Sequence, residues 1–189
     1  MNNIPMLGLP ILIIMVIIRS IILRRHGIKA IVFGNTDKTD FFIIPIVFLF
    51  IYGIISSLLN LPFPKILTEA FWEFDILYVF SIIICIISLI WFGITLKVFG
   101  KSFRVGIDIN TNEKLIVHGT FSISRNPIYV GFITYFIGLF LAYSNILSSV
   151  FIVFFILLIH RQILREEKFL KKQFGVEYEE YFKKVRRYL

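Results

Sequence analysis

The chain is poor in charge, and the charge it has leans to one sign. Charged side chains make up 17% of its 189 residues, where a soluble domain carries about 25%. Asp and Glu number 12 against 20 Lys and Arg, a formal net charge of +8. Cysteine occurs once, as Cys85, so no intramolecular disulfide can form and cysteine usage carries no redox-compartment signal. The three histidines, His26, His118 and His160, lie in unrelated segments without ligand spacing, and no metal site is expected. The sequence has no internal repeat and no charged side chain in the middle of an apolar block, which speaks against a transporter.

Apolar residues, by contrast, abound. At 58% hydrophobic and a mean hydropathy of +0.86, the composition excludes both a water-soluble globule and a disordered tail. The apolar residues fall into five blocks, at about 4–23, 41–61, 75–96, 128–143 and 146–164. A helix needs roughly 20 apolar residues to cross a hydrocarbon core of about 30 Å, and only the fourth block is clearly shorter. None shows the period-2 alternation of a barrel strand, so helices are expected. Only Ser144-Asn145 separates the last two, which predicts a tight antiparallel hairpin. The first block has no basic residue before it and no small-x-small cleavage pattern after it, so it reads as a retained span. The expected fold is an all-α integral membrane protein, a single membrane domain over 1–189. It comprises five transmembrane helices, a cytoplasmic loop at about 99–127 and a C-terminal amphipathic helix at about 165–187.

The placement of the basic residues orients these spans. Arg24, Arg25, Lys29 and Lys38 follow the first, and Lys97, Lys101, Arg104, Lys114 and Arg125 lie between the third and fourth. Nine more follow from Arg161 to Arg187, so 18 of the 20 share one side. Lys65 stands alone on the other, and Arg19 lies inside the first span. The positive-inside rule then sets the N-terminus outside and the C-terminus in the cytoplasm of a multi-pass protein of the cytoplasmic or inner membrane. Because every basic cluster borders a span, topogenesis and anionic membrane lipids account for the charge, and no nucleic-acid partner is expected.

Two cytoplasmic segments are too patterned to be mere connectors. The first, about 99–127, is long for a loop. It carries turn signals at Asn110-Thr111-Asn112 and Gly119 beside alternating Leu115 and Val117, as in a short hairpin or folded loop. Asn126-Pro127 reads as a cap and first residue of the fourth span, and a helix start can receive a carboxylate or phosphate. The second holds Glu166 and Glu167 just past the fifth block, with Arg161/Arg165 and Gln162/Glu166 each four residues apart and so on shared faces. Beyond Gly175, Tyr178, Tyr181, Phe182 and Val185 recur at helical spacing among Lys and Arg, as in an interfacial helix on the inner leaflet. Gly131, Thr134, Gly138 and Ala142 form a small-residue stripe, read first as a helix-packing face.

These residues together resemble a known pattern. The run Leu115-Ile116-Val117-His118-Gly119-Thr120-Phe121 is followed by Ser124-Arg125-Asn126-Pro127-Ile128-Tyr129-Val130-Gly131. A second run joins Glu166-Glu167 to Phe174-Gly175-Val176-Glu177-Tyr178 and Tyr181. In order, separation and intervening hairpin they resemble the isoprenylcysteine carboxyl methyltransferase family and its phospholipid methyltransferase-like relatives, over roughly 97–187. The resemblance implies S-adenosylmethionine bound between the loop before the fourth span and the end of the fifth. Glu113, Lys114, Leu115 and Ile116 would line its adenosine. Phe121 takes the place of a family tyrosine and Asn126 that of a histidine. Asn126, Pro127, Ile128 and Tyr129 would form a wall, and Glu166 would hold a polar group of the cofactor. Gln162, the substrate-side position, stands where the family has an arginine for the substrate carboxylate, with Arg161 and Arg165 beside it as replacement cations. On chemical grounds, a carboxylate acceptor needs no base, whereas an amine would need a nearby proton acceptor such as Glu167.

The function so implied is methyl transfer to a small lipophilic acceptor, either the carboxylate of a prenylcysteine-like compound or an amine lipid. The other class of reading is a non-enzymatic helical scaffold, which predicts no S-adenosylmethionine binding.

Overall fold

In hydrocarbon the backbone must bond within its own segment, and each apolar block accordingly forms a helix. The computed structural model describes residues 4–25, 43–59, 61–100 and 115–189. A 3-10 turn at Ile4–Leu7 leads into α1 (Gly8–Arg25). Then come α2 (Ile43–Leu59), the single turn α3 (Lys65–Thr68) and α4 (Asp75–Phe99). A second 3-10 turn at Gly119–Ser122 precedes α5 (Pro127–Ala142), α6 (Ile146–Phe174) and α7 (Val176–Lys184). Among the described residues there is no named strand, and one isolated parallel bridge joins Ser124 to Arg186.

Three helices are long and apolar enough to cross a membrane: Ile4–Arg25, Asp75–Phe99 and Ile146–Phe174. At 1.5 Å per residue, α2 with 17 residues and α5 with 16 reach only about 24–26 Å. Five apolar helices are present, but length alone marks three as spans. Their outer faces carry exposed aliphatic side chains, including Ile13 and Ile17 on α1, Ile86 and Ile90 on α4, and Val153 and Leu157 on α6. Such continuous apolar surface suits lipid rather than water.

The small-residue stripe of α5 packs against α4. The Ser88 hydroxyl donates to the Gly131 carbonyl at 2.6 Å, and Trp91 Nε1 donates to the Pro127 carbonyl at 2.8 Å. A Cβ on Gly138 would lie 2.7 Å from Cys85 Sγ, so only glycine allows this approach. Phe50 of α2 stacks on Phe151 of α6 at 3.9 Å, and Tyr135 donates to the Pro5 carbonyl ahead of α1. At one end the α5–α6 hairpin is capped by Asn145, whose side chain accepts from Ser148 N in a capping box. There the Phe71 amide donates to the Ser144 carbonyl at 2.7 Å. At the other end Arg19 bonds the Gly100 carbonyl, tying α1 to the end of α4.

The helix expected at about 165–187 is divided. α6 continues past the apolar block to Phe174, Gly175 turns the chain at φ 52°, and α7 ends at Lys184 before a non-helical segment, 185–189. Of the apolar face expected for an interfacial helix, Tyr178 and Tyr181 are 2% and 6% exposed and pack on the protein itself, while Phe182 is exposed. The hairpin expected around Asn110-Thr111-Asn112 lies outside the described residues.

Candidate functional site

The polar chemistry of the molecule gathers where α5 begins and α6 leaves the apolar bundle. Pro127 opens α5 because its missing N–H costs nothing at a first helical position. Asn126 occupies the cap position, at φ −128° and ψ 52°, but its side chain makes no cap bond. The expected capping role is therefore corrected. Its Nδ2 donates to Glu167 Oε1 at 3.1 Å and to the Arg187 carbonyl at 3.3 Å, bonds that fix the side chain by its donor end, whereas a cap would use the Oδ1 acceptor.

Glu167 is the hub. Arg125 donates to its Oε1 from Nε at 3.2 Å and Nη2 at 3.1 Å. Arg187 donates to its Oε2 from Nε at 3.0 Å and Nη2 at 2.9 Å. Arg125 Nη1 also donates to the carbonyls of Phe182 at 3.0 Å and Val185 at 2.6 Å, and the guanidinium lies 3.9 Å over the Phe182 ring. Burial by itself raises the Glu167 carboxyl, but the Arg187 bond and the charges of Arg125 and Arg187 outweigh it and hold the carboxyl below its ordinary value. A carboxylate held this way is poorly disposed to take a proton.

Glu166, one residue earlier and about 100° round the helix, meets different partners. The Tyr129 hydroxyl donates to its Oε1 at 2.5 Å, and Gln162 Nε2 donates to the same oxygen at 2.9 Å. Arg165 Nη1 reaches Gln162 Oε1 at 3.4 Å. Gln162 is buried, Arg165 half-buried and Arg161 exposed.

The remaining expected residues are spread around this joint. Phe121 is buried, its ring 4.9 Å from that of Phe99, and its carbonyl accepts from the Tyr181 hydroxyl at 2.6 Å. Pro127 is buried and Ile128 half-buried against the core. Leu115 and Ile116 are half-buried, while Glu113 and Lys114 lie outside the described residues. Burial pushes the Tyr178 phenol up to about 12 and raises that of Tyr181 as well. Both therefore remain neutral.

Sequence reasoning missed the residues that hold the joint together: Ser124, Arg125 and Arg187. The Ser124 hydroxyl accepts from the Asn126 amide at 3.1 Å and donates to the Arg187 carbonyl at 3.2 Å. The Arg125 amide donates to the Arg186 carbonyl at 2.9 Å. Arg125 stood within a recognised motif, but Arg187 looked like one more topological charge.

Fold and site together define an all-helical membrane protein with a polar joint at one end of its bundle. Residues 74–177 match the family described as phospholipid methyltransferase, and the chain belongs to that family. It is similar to a "Probable protein-S-isoprenylcysteine O-methyltransferase" of Oryza sativa subsp. indica, 38% identical over 89 residues, covering 46% of this chain and 47% of that protein. It is also similar to "Protein-S-isoprenylcysteine O-methyltransferase A" of Arabidopsis thaliana, 37% identical over 89 residues, covering 46% and 45% respectively. The match thus spans about half the length of these relatives. No solved structure matches.

Proposed function

We propose that the protein is an S-adenosylmethionine-dependent methyltransferase acting within the membrane on a small lipophilic acceptor. One observation carries this reading: Tyr129, Gln162 and Glu166 meet at the α5–α6 joint, at the end of an apolar bundle whose family is that of phospholipid methyltransferases. The donor set fits the cofactor. The Glu166 carboxylate suits an ammonium or a ribose diol, Tyr129 and Gln162 orient that carboxylate, and half-buried Leu115, Ile116 and Ile128 suit a purine. When bound, that cofactor supplies a methyl carbon already electrophilic on its sulfonium, so the chain's task is to align the acceptor and exclude water.

The environment of Glu167 favours a carboxylate acceptor over an amine. An amine must shed a proton, and a carboxylate clasped by two arginines is poorly suited to take it. An ionised carboxylate needs no base, and Arg165 beside Gln162 supplies a cation near the site. The five apolar helices α1, α2, α4, α5 and α6 act as five spans, N-terminus outside, which sets the joint at the cytoplasmic face.

Calorimetric titration of the detergent-purified protein with S-adenosylhomocysteine tests the reading. Saturable binding is expected, and no heat at millimolar ligand would return the protein to the scaffold class. If binding is present, methyl transfer should be seen to a prenylcysteine and not to an amine lipid.

A further inference from the structure

Segment 185–189 is not helical, yet it is stitched to the start of α5 at several points. The Arg186 carbonyl accepts from the Arg125 amide at 2.9 Å, and the Arg187 carbonyl accepts from Ser124 Oγ at 3.2 Å and Asn126 Nδ2 at 3.3 Å. The Tyr188 hydroxyl meets His160 Nδ1 of α6 at 2.6 Å, with the two rings stacked. Between these anchors the Arg187 guanidinium takes one oxygen of Glu167 while Arg125 and Asn126 take the other. Glu167 is thereby bonded on both sides, and its bond to Asn126 ties it to the residue just before the start of α5. Tyr129 lies within one turn of that start, and its hydroxyl meets Glu166, the neighbour of Glu167 on α6.

We propose that Arg187 is a positioning residue for the cofactor site, acting through Glu167 to hold the start of α5 against α6 so that Tyr129 and Glu166 meet. This inference rests on the methyltransferase reading. The Arg187 guanidinium acts through Glu167, which Asn126 shares; the bond from Asn126 to the Arg187 backbone carbonyl survives substitution of the side chain. The side chain is partly open, 31% exposed, so replacing it leaves a smaller defect than removing the buried Arg125.

S-adenosylhomocysteine affinity and thermal midpoint are measured for wild type, Arg187→Lys, Arg187→Ala, Glu167→Gln and the Arg187→Ala/Glu167→Gln pair, all full length in detergent. Arg187→Ala is expected to weaken binding at least tenfold while the midpoint moves only a few degrees. Arg187→Lys, which keeps the charge without the two-pronged fork, should recover part of the loss. In the Glu167→Gln background Arg187→Ala should add little, because both changes break one linkage. A wild type that does not bind overturns the enzyme reading and this inference with it. A wild type that binds, with Arg187→Ala within twofold of it or with fully additive losses in the pair, overturns the positioning role alone. If Arg187→Ala fails to fold, Arg187→Lys decides by the same twofold criterion.

Discussion

Arg125 and Glu167 form a buried ion pair, Nη2 to Oε1 at 3.1 Å, with side chains only 6% and 7% exposed. Forty-two positions apart in sequence, they join the start of α5 to the end of α6. Removing Arg125 leaves the buried Glu167 carboxylate with one arginine where it had two. Arg125→Ala should destabilise the protein by about 3 kcal/mol, towards the lower end for a broken buried pair because Arg187 stays on the other oxygen. Denaturant unfolding in detergent measures this. Arg125→Lys should recover only part of the stability, since an ammonium cannot reproduce bonds to Glu167, Phe182 and Val185 together.

Acid should loosen the same joint. The Glu167 carboxyl titrates below its ordinary value in the folded protein. Its contribution is therefore complete above the unfolded value, about 4.3, and is lost as pH falls through the lower folded one. The thermal midpoint should drop between about pH 4 and the lowest pH at which the detergent complex remains soluble. Glu167→Gln should flatten that drop, and an equally steep curve in the variant would assign it to other carboxylates.

On the cofactor side, Tyr129→Phe deletes one donor to Glu166. A loss of about 1 kcal/mol, or about fivefold in S-adenosylhomocysteine affinity, is expected. Glu166→Ala should cost more than tenfold, with a midpoint close to wild type because Glu166 is only half-buried.

Gly138→Ala should destabilise by about 1–3 kcal/mol, since the new methyl lands 2.7 Å from Cys85 Sγ. Adding Cys85→Ala should restore part of that loss. The recovery stays incomplete because Ile84 Cγ2 at 3.2 Å and the Cys85 amide at 3.3 Å remain in the way.

The orientation is checked by cysteine labelling. A Lys65→Cys variant should react with an impermeant maleimide from outside intact cells, whereas Lys172→Cys should react only after permeabilisation. Native Cys85, 3% exposed, should stay silent in both.

The sequence by itself determined the apolar helices, the tight α5–α6 turn, the charge asymmetry and the two motifs. All of these depend on residues near one another along the chain, where hydropathy, turn chemistry and spacing act. Even the α5 stripe could be read locally, because its glycines recur on one helical face. Tertiary structure alone decided how the two adjacent glutamates divide their work. A rotation of about 100° per residue turns Glu166 and Glu167 apart, but their partners come from elsewhere in the chain. Tyr129 belongs to α5, Arg125 to the segment before it, and Arg187 to the segment after α7. The same holds for Asn126, whose local pattern promised a cap but whose amide NH2 is instead fixed by a carboxylate that lies 41 positions away in sequence. Tyr178 and Tyr181 met a similar fate: their spacing suits a lipid surface, and only the fold supplied the protein surface that covers them instead.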